Sequence, residues 1–332
     1  MNKVVLVTGG AGYIGSNIIC KLARCNCKIV CVDNFSNSFN FAINRLMEKY
    51  SNVILEQGDL LDISFIENLF LKYNVDCVIH MAGKKYVKDS FYETEEYYKN
   101  NIIATKNLLD VMSKYKVNKI IFASSISVYG VSGIPPYKED YEFNPQSPYA
   151  EMKVEGEKMI EKWCDQNKMA TILRLSNPVG ANLELMLGDN SKNSNLHLLP
   201  YILSNLDKDL KFNAASIPTK DGTTIRDYIH VEDIANAFVN SYNNLKNGYH
   251  VYNIGSGEPG YSVLDMVKQI EKTLNVKIRY VIQNCREGDV PISIGDNTKA
   301  KQELSLVITK NLHEIVKSQH EFSKFLRIGE NN

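Results

Sequence analysis

Short apolar runs alternate with longer stretches of helical period along the first half of the chain. Val4–Val7, Ile29–Val32, Val53–Leu55, Cys77–His80, Ile120–Ala123 and Thr171–Leu175 are rich in β-branched residues and lack polar alternation. Strands covered on both faces have that pattern. Between them, Ile14–Arg24, Ile63–Lys72, Thr94–Lys116 and Tyr149–Gln166 repeat their apolar positions every three to four residues, as helices resting on a sheet do. The alternation predicts an α/β fold, a doubly wound parallel sheet with right-handed crossovers. From about Gly180 the regularity fails, and the loop-like stretches 190–195, 217–222 and 255–260 separate short strands and helices. A smaller mixed α/β lobe over the sheet's carboxyl edge is expected there, where such folds bind their ligands.

Composition narrows the classes. Of 332 residues, 44% are hydrophobic and 23% charged, which is globular, and 38 basic residues balance 38 acidic ones. No attraction to nucleic acid or to a membrane surface follows from a net charge of zero. No apolar run reaches the length of a membrane span. The first strand pattern begins at Lys3, so no leader is expected. Seven cysteines are an odd number, four of them (Cys20, Cys25, Cys27, Cys31) crowd the first strand–helix unit, and the six histidines are scattered. They read as thiols in a reducing compartment, with a cytoplasmic location and no metal site.

Two patterns carry chemistry. Strand Val4–Val7 runs into Thr8-Gly9-Gly10-Ala11-Gly12-Tyr13-Ile14-Gly15-Ser16 and then a helix. Glycines at that spacing let the backbone approach a pyrophosphate, which the helix N-terminus attracts. A second strand ends at Asp33, about twenty residues on, where a carboxylate takes a ribose diol and repels a 2′-phosphate, favouring NAD over NADP. Asp59, after the third strand, is placed either to bind adenine or to cap a helix. The other pattern is Tyr149 and Lys153, four residues apart and so on one helix face. A phenol with an ordinary pKa of about 10 is a poor base, and a neighbouring ammonium favours its phenolate. The same spacing also occurs on solvated helix faces. His80, ending a buried strand, is expected to be a core histidine.

These residues resemble the extended short-chain dehydrogenase/reductases, and within them the UDP-hexose 4-epimerases, over nearly the whole chain. The motifs are the glycine loop, Asp33-Asn34-Phe35-Ser36-Asn37-Ser38, Gly58-Asp59, His80-Met81-Ala82-Gly83-Lys84-Lys85, Tyr97-Tyr98-Lys99-Asn100-Asn101, Ser124-Ser125 and Ser147-Pro148-Tyr149. Asn177-Pro178-Val179-Gly180-Ala181, Asp221-Gly222-Thr223-Thr224-Ile225-Arg226-Asp227-Tyr228-Ile229-His230-Val231 and Arg286-Glu287-Gly288-Asp289 follow. The resemblance implies a Rossmann-like NAD-binding domain over 1–180, interleaved with segments near 225–255, and a mainly UDP-sugar-binding lobe over 181–332. It implies an isomerase that keeps NAD bound, with Tyr149 as base, Lys153 holding the phenolate and Ser125 bonding the sugar oxygen. Gly9, Gly12, Tyr13, Ile14, Gly15, Asp33, Asn34, Asn37, Ser38, Asp59, Leu60, Met81, Ala82, Gly83, Lys85 and Asn100 would join these three around the cofactor. Asn177, His197, Leu198, Arg226, Arg286 and Asp289 would bind the UDP-sugar. A homodimer through Thr94–Lys116 and Tyr149–Gln166 is implied as well.

Ser293 stands at the position that gates the sugar pocket in these relatives, where tyrosine excludes N-acetylated sugars and a small residue leaves room for them. UDP-N-acetylglucosamine is therefore expected as a further substrate. Two related chemistries, 4,6-dehydration and decarboxylation of nucleotide sugars, are disfavoured because Ser125-Ile126-Ser127 carries no carboxylate. A non-catalytic sensor of NAD is disfavoured by the retention of Ser125, Tyr149 and Lys153.

Overall fold

The structure, a computed structural model, describes residues 3–192, 197–285 and 289–330. Its centre is a seven-stranded parallel sheet. Six strands are β1 (Lys3–Thr8), β2 (Cys27–Asp33), β3 (Val53–Gln57), β4 (Val75–His80), β5 (Lys119–Ser125) and β6 (Met169–Leu175). With the strand Gly248–Ile254 at one edge, the order is Gly248–Ile254, β6, β5, β4, β1, β2, β3. Val5 and Val7 face one apolar cluster, together with Ile18 and Ile19 of helix α1 (Tyr13–Leu22) and Phe238 of the helix Val231–Asn243. Val4 and Leu6 face the other, with Leu69 of helix α3 (Ile63–Lys72), Met112 and Ile160. Apolar cover on both faces explains why the strands lack polar alternation.

The seventh strand was not legible as one. Its sequence, Gly-Tyr-His-Val-Tyr-Asn-Ile, is half polar because it is an edge strand, paired only with β6 and fully buried only over its last three residues. Helix α2 (Phe41–Lys49) was also unforeseen: at nine residues it is shorter than the stretch over which a helical period stands out, and it buries only Ile43 and Leu46. The predicted helix Thr94–Lys116 is three pieces: an α-turn at Thr94–Tyr98, a π-helical turn at Lys99–Ile103 and an α-helix over Ala104–Lys114.

Beyond β6 the chain builds a third cluster, with Leu199, Ile202, Phe212, Met266, Ile270 and Val316 at its centre. The strand Asn177–Val179 pairs in parallel with Tyr228–His230. Ile225–Arg226 lies between Tyr261–Ser262 and Ile292–Ser293. Asp227 fastens this region to the sheet: it accepts bonds from Ser176 Oγ at 2.8 Å, just past β6, and from Ser256 N at 2.8 Å, just past the edge strand. Among the described residues no helix is long and apolar enough to cross a membrane.

Candidate functional site

The glycine loop is held by close backbone contacts. Gly9 has φ +64°, and a Cβ there would stand 2.8 Å from Ala82 N. A Cβ on Gly15 would stand 2.3 Å from the Gly9 carbonyl oxygen. Gly12 begins α1 without a capping side chain, and the first turn holds no acidic residue, so the helix's free N–H groups and positive end are left for an anion. Asp33, buried at the end of β2, accepts from Ala11 N at 3.0 Å, Phe35 N at 2.9 Å and Ser38 Oγ at 2.8 Å. One carboxylate thus ties the glycine loop to the loop after β2. Asn37 and Ser38 line a pocket with Gly12 and Tyr13, roofed by Met186–Gly188, Asn190 and Ser191. Tyr13 donates to the Gly180 carbonyl at 2.5 Å, while Ile14 is half-buried against the sheet's core. Asp59 accepts from Asn34 Nδ2 at 2.9 Å and Leu61 N at 2.8 Å. The capping role left open for it belongs to Asp62, which accepts from Phe65 N at 3.1 Å. Leu60, beside it, is buried and offers its carbonyl to Asn107 Nδ2 at 3.1 Å.

The end of β4 is set by a chain of hydrogen bonds. Thr105 Oγ1 donates to the Asn101 carbonyl at 2.6 Å, so it must accept from His80 Nε2 at 2.9 Å. His80 Nδ1 then accepts from Thr8 Oγ1 at 2.7 Å, whose lone pairs take Met81 N and Ala82 N, each at 3.2 Å. Burial, and to a lesser degree the Lys153 charge, push His80 down to about 3, so the ring is neutral. It is a core histidine, as its sequence position suggests. Asn101 pins the next loop, accepting from Lys84 N at 2.7 Å. Its Oδ1 would be 2.8 Å from a Cβ on Gly83.

Tyr149 and Lys153 ride on the helix Pro148–Trp163, whose start is fixed by Ser147 Oγ accepting from Ala150 N at 3.2 Å and by proline in its first turn. Ser125, the last residue of β5, accepts from Ser127 N at 3.2 Å and lies near enough to the Tyr149 hydroxyl to favour its phenolate. Lys153 Nζ lies 5.8 Å from the Tyr149 ring centre and donates to the Ala123 carbonyl at 2.8 Å. Burial pushes the Tyr149 phenol up to about 12 and outweighs the effect of Ser125, which acts in the opposite direction. Burial also pushes Lys153 down to about 8, against the attraction of Glu157. The sequence argument that the ammonium brings the phenol down is therefore not met by these side chains alone, because desolvation is the larger effect.

In the lobe, Arg226 Nη2 pairs with Asp289 at 2.6 Å. Ser293 sits opposite Arg226 in the adjoining strand, and Asn177 opposite Tyr228. Asn100, in the π-turn, donates to the Glu96 carbonyl at 2.9 Å. His197 precedes the helix Leu198–Ser204 and stacks on Tyr86, with ring centres 5.4 Å apart. Lys85 Nζ is 3.4 Å from Asp189 Oδ2, and His197 Nε2 is 3.5 Å from the same oxygen. Arg286 lies outside the described residues.

A glycine loop, a carboxylate at the end of β2 and a Ser–Tyr–Lys set at the end of β5 thus share one sheet edge, and the residues fit NAD. Residues 5–255 match the model of the NAD dependent epimerase/dehydratase family. The chain belongs to that family. A curated UDP-glucose 4-epimerase of Bacillus subtilis (strain 168) is 37% identical over 320 residues, 94% of each chain. The crystal structure of UDP-glucose 4-epimerase from Bifidobacterium longum in complex with NAD+ and UDP superposes with a TM-score of 0.93 at 34% identity, covering 98% of this chain and 100% of that one. The UDP-Glc/GlcNAc 4-epimerase of Campylobacter jejuni superposes with a TM-score of 0.84 at 29% identity, covering 98% and 100%.

In this member of the epimerase/dehydratase family, three buried charged residues near these side chains had escaped the sequence. Glu157, on the helix Pro148–Trp163, and Arg174, on β6, form a buried pair, with Arg174 Nη2 2.7 Å from Glu157 and Ser124 also donating to that carboxylate. The signal for Glu157 was a second four-residue step, from Lys153 to Glu157, whereas Arg174 had none. Asp189 had no periodic signal, because it lies in irregular backbone and meets its partners only in the folded chain.

Proposed function

We propose that the chain is an isomerase that inverts carbon 4 of UDP-hexoses, interconverting UDP-glucose and UDP-galactose while NAD stays bound. The observation that carries this reading is the placement of Tyr149 and Lys153 on one helix face, with Ser125 at the end of β5, on the sheet edge that also bears the glycine loop. Bound NAD supplies the acceptor for the carbon-4 hydride and the donor that returns it to the opposite face. Tyr149 takes the 4-hydroxyl proton as that hydride leaves, giving a 4-keto sugar, and gives the proton back when the sugar has turned over. Ser125 bonds the reacting oxygen. Because burial holds the Tyr149 phenol high, its use as a base needs positive charge from Lys153 and from the oxidised cofactor together. Lys85 and Asn100 serve the cofactor side. Asn177, His197, Leu198, Arg226, Arg286 and Asp289 serve the UDP-sugar, the guanidinium forks suiting phosphate oxygens.

Ser293 leaves space beside the sugar for an N-acetyl group, so UDP-N-acetylglucosamine and UDP-N-acetylgalactosamine are interconverted too. Exposed Tyr98 and Ile103 on the helical stretch beside Pro148–Trp163 support a homodimer through those two helices. The free thiols agree with a cytoplasmic enzyme.

The test is a coupled assay of the purified protein with no added NAD. Conversion of UDP-galactose to UDP-glucose is expected, and of UDP-N-acetylgalactosamine to its epimer. Failure with both substrates by protein that carries NAD overturns the reading, and failure with the second alone removes the role given to Ser293.

A further inference from the structure

We propose that Asp189 is a positioning residue that holds Lys85 and His197 in one arrangement and thereby couples the cofactor and UDP pockets. The proposal rests on the epimerase reading for the placement of Lys85 at the cofactor and of His197 at the UDP-sugar. The Asp189 side chain is only 5% exposed, and its two oxygens have different tasks. Oδ1 takes Ser191 N at 3.1 Å and Ser191 Oγ at 2.5 Å, which sets the carboxylate's own orientation. Oδ2 faces Lys85 at 3.4 Å and His197 at 3.5 Å. Lys85 donates to it at the long end of the hydrogen-bond range, which uses at most one of its three ammonium donors, and His197, held below the ordinary histidine value by burial, faces the same oxygen. Their side chains remain 33% and 45% exposed, which leaves N–H groups available to a ligand.

The neighbours reinforce the arrangement. Tyr86, next to Lys85, stacks on His197, and its hydroxyl is 2.8 Å from Ser191 Oγ. Lys85 and Tyr86 follow β4, where the cofactor residues Met81–Gly83 lie, whereas His197 starts a helix of the lobe. One buried carboxylate therefore joins two parts of the chain more than a hundred residues apart in sequence. A buried carboxylate is unfavourable unless it is neutralised. Lys85 neutralises it, and for Asp189 the attraction of Lys85 and His197 with the Ser191 bonds outweighs desolvation and keeps it ionised.

The experiment is a double-mutant cycle on NAD-bound protein: wild type, D189N, H197A and D189N/H197A, with UDP affinity read by calorimetry and the kinetic constants for UDP-galactose beside it. Asparagine keeps the oxygen that accepts from Ser191, so a role confined to that turn leaves UDP binding unmoved. Positioning predicts that D189N weakens UDP about tenfold, raises KM in step and changes kcat by less than about threefold. It predicts that the loss shrinks to under about twofold in the H197A background. The cycle is run in saturating NAD; when NAD is then left out of the buffer, D189N protein is further expected to release it on gel filtration more readily than wild type. Equal UDP affinity in D189N and wild type, or an equal loss with and without His197, overturns the proposal. Should D189N not fold, D189E takes its place in the same cycle, with the same two outcomes. Wild-type protein that binds UDP but leaves UDP-galactose unchanged removes the epimerase reading, and the UDP cycle still decides Asp189. Wild type that binds no UDP removes both.

Discussion

Replacing Glu157 by glutamine should be the most informative test of how the catalytic helix is held. Glu157 and Arg174 are 1% and 3% exposed. The guanidinium clasps the carboxylate from two sides, Nε at 3.0 Å from one oxygen and Nη2 at 2.7 Å from the other. Arg174 Nη1 extends the network to Tyr129 Oη at 2.7 Å and the Glu139 carbonyl at 2.9 Å. Tyr129 in turn donates to Asn253 Oδ1 of the edge strand at 2.8 Å. The amide of glutamine removes the negative charge and turns one acceptor into a donor facing Nε, Nη2 or the Ser124 hydroxyl. The buried guanidinium is then uncompensated, a change that costs about 3–5 kcal/mol. For 332 residues the unfolding entropy is about 0.7 kcal/mol per kelvin, so the melting temperature should fall by roughly 4–7 °C. Thermal unfolding followed by circular dichroism at one NAD concentration measures it. The double variant E157L/R174M, which removes both charges, should recover most of the loss, because the penalty comes from a lone buried charge and not from the missing pair. If E157Q melts within a degree of wild type, or the double variant melts as low as the single one, the reasoning is wrong.

Other outcomes follow from the same geometry. Y149F, which keeps the ring and removes the proton-transferring hydroxyl, should lower kcat by about 10²–10⁴ while NAD remains bound, read by steady-state kinetics and cofactor absorbance. His80 is held near 3 in the fold and titrates near 6.5 when unfolded, so between those values the unfolded chain binds more protons. Stability from this residue is full above pH 6.5 and is lost as pH falls, by up to roughly 1.4 kcal/mol per pH unit. H80Q, whose amide can accept from Thr8 and donate to Thr105, should flatten the acid limb of a plot of melting temperature against pH; an unchanged limb would refute the assignment. G15A puts a Cβ 2.3 Å from the Gly9 carbonyl, and the forced shift of the loop should abolish NAD retention, measured by cofactor release after heat precipitation.

The sequence by itself determined the sheet and the chemistry of its edge. Six strands were legible because burial on both faces removes polar alternation, and α3 because its apolar stripe is regular. The glycine loop and the pair Tyr149 and Lys153 were legible because each is a pattern within one turn or one helical step, and Asp33 because it ends the next strand. The tertiary structure alone decided what depends on distant partners. It made Gly248–Ile254 a strand by offering β6 as a neighbour, and it gave the capping role to Asp62. It brought Arg174 to Glu157 and His197 to Asp189. It also reversed the expected balance at Tyr149, since burial, a property of the whole fold, raises the phenol more than any single neighbour lowers it. Local spacing is written in the sequence, whereas desolvation and long-range pairing arise only when the chain closes around the site.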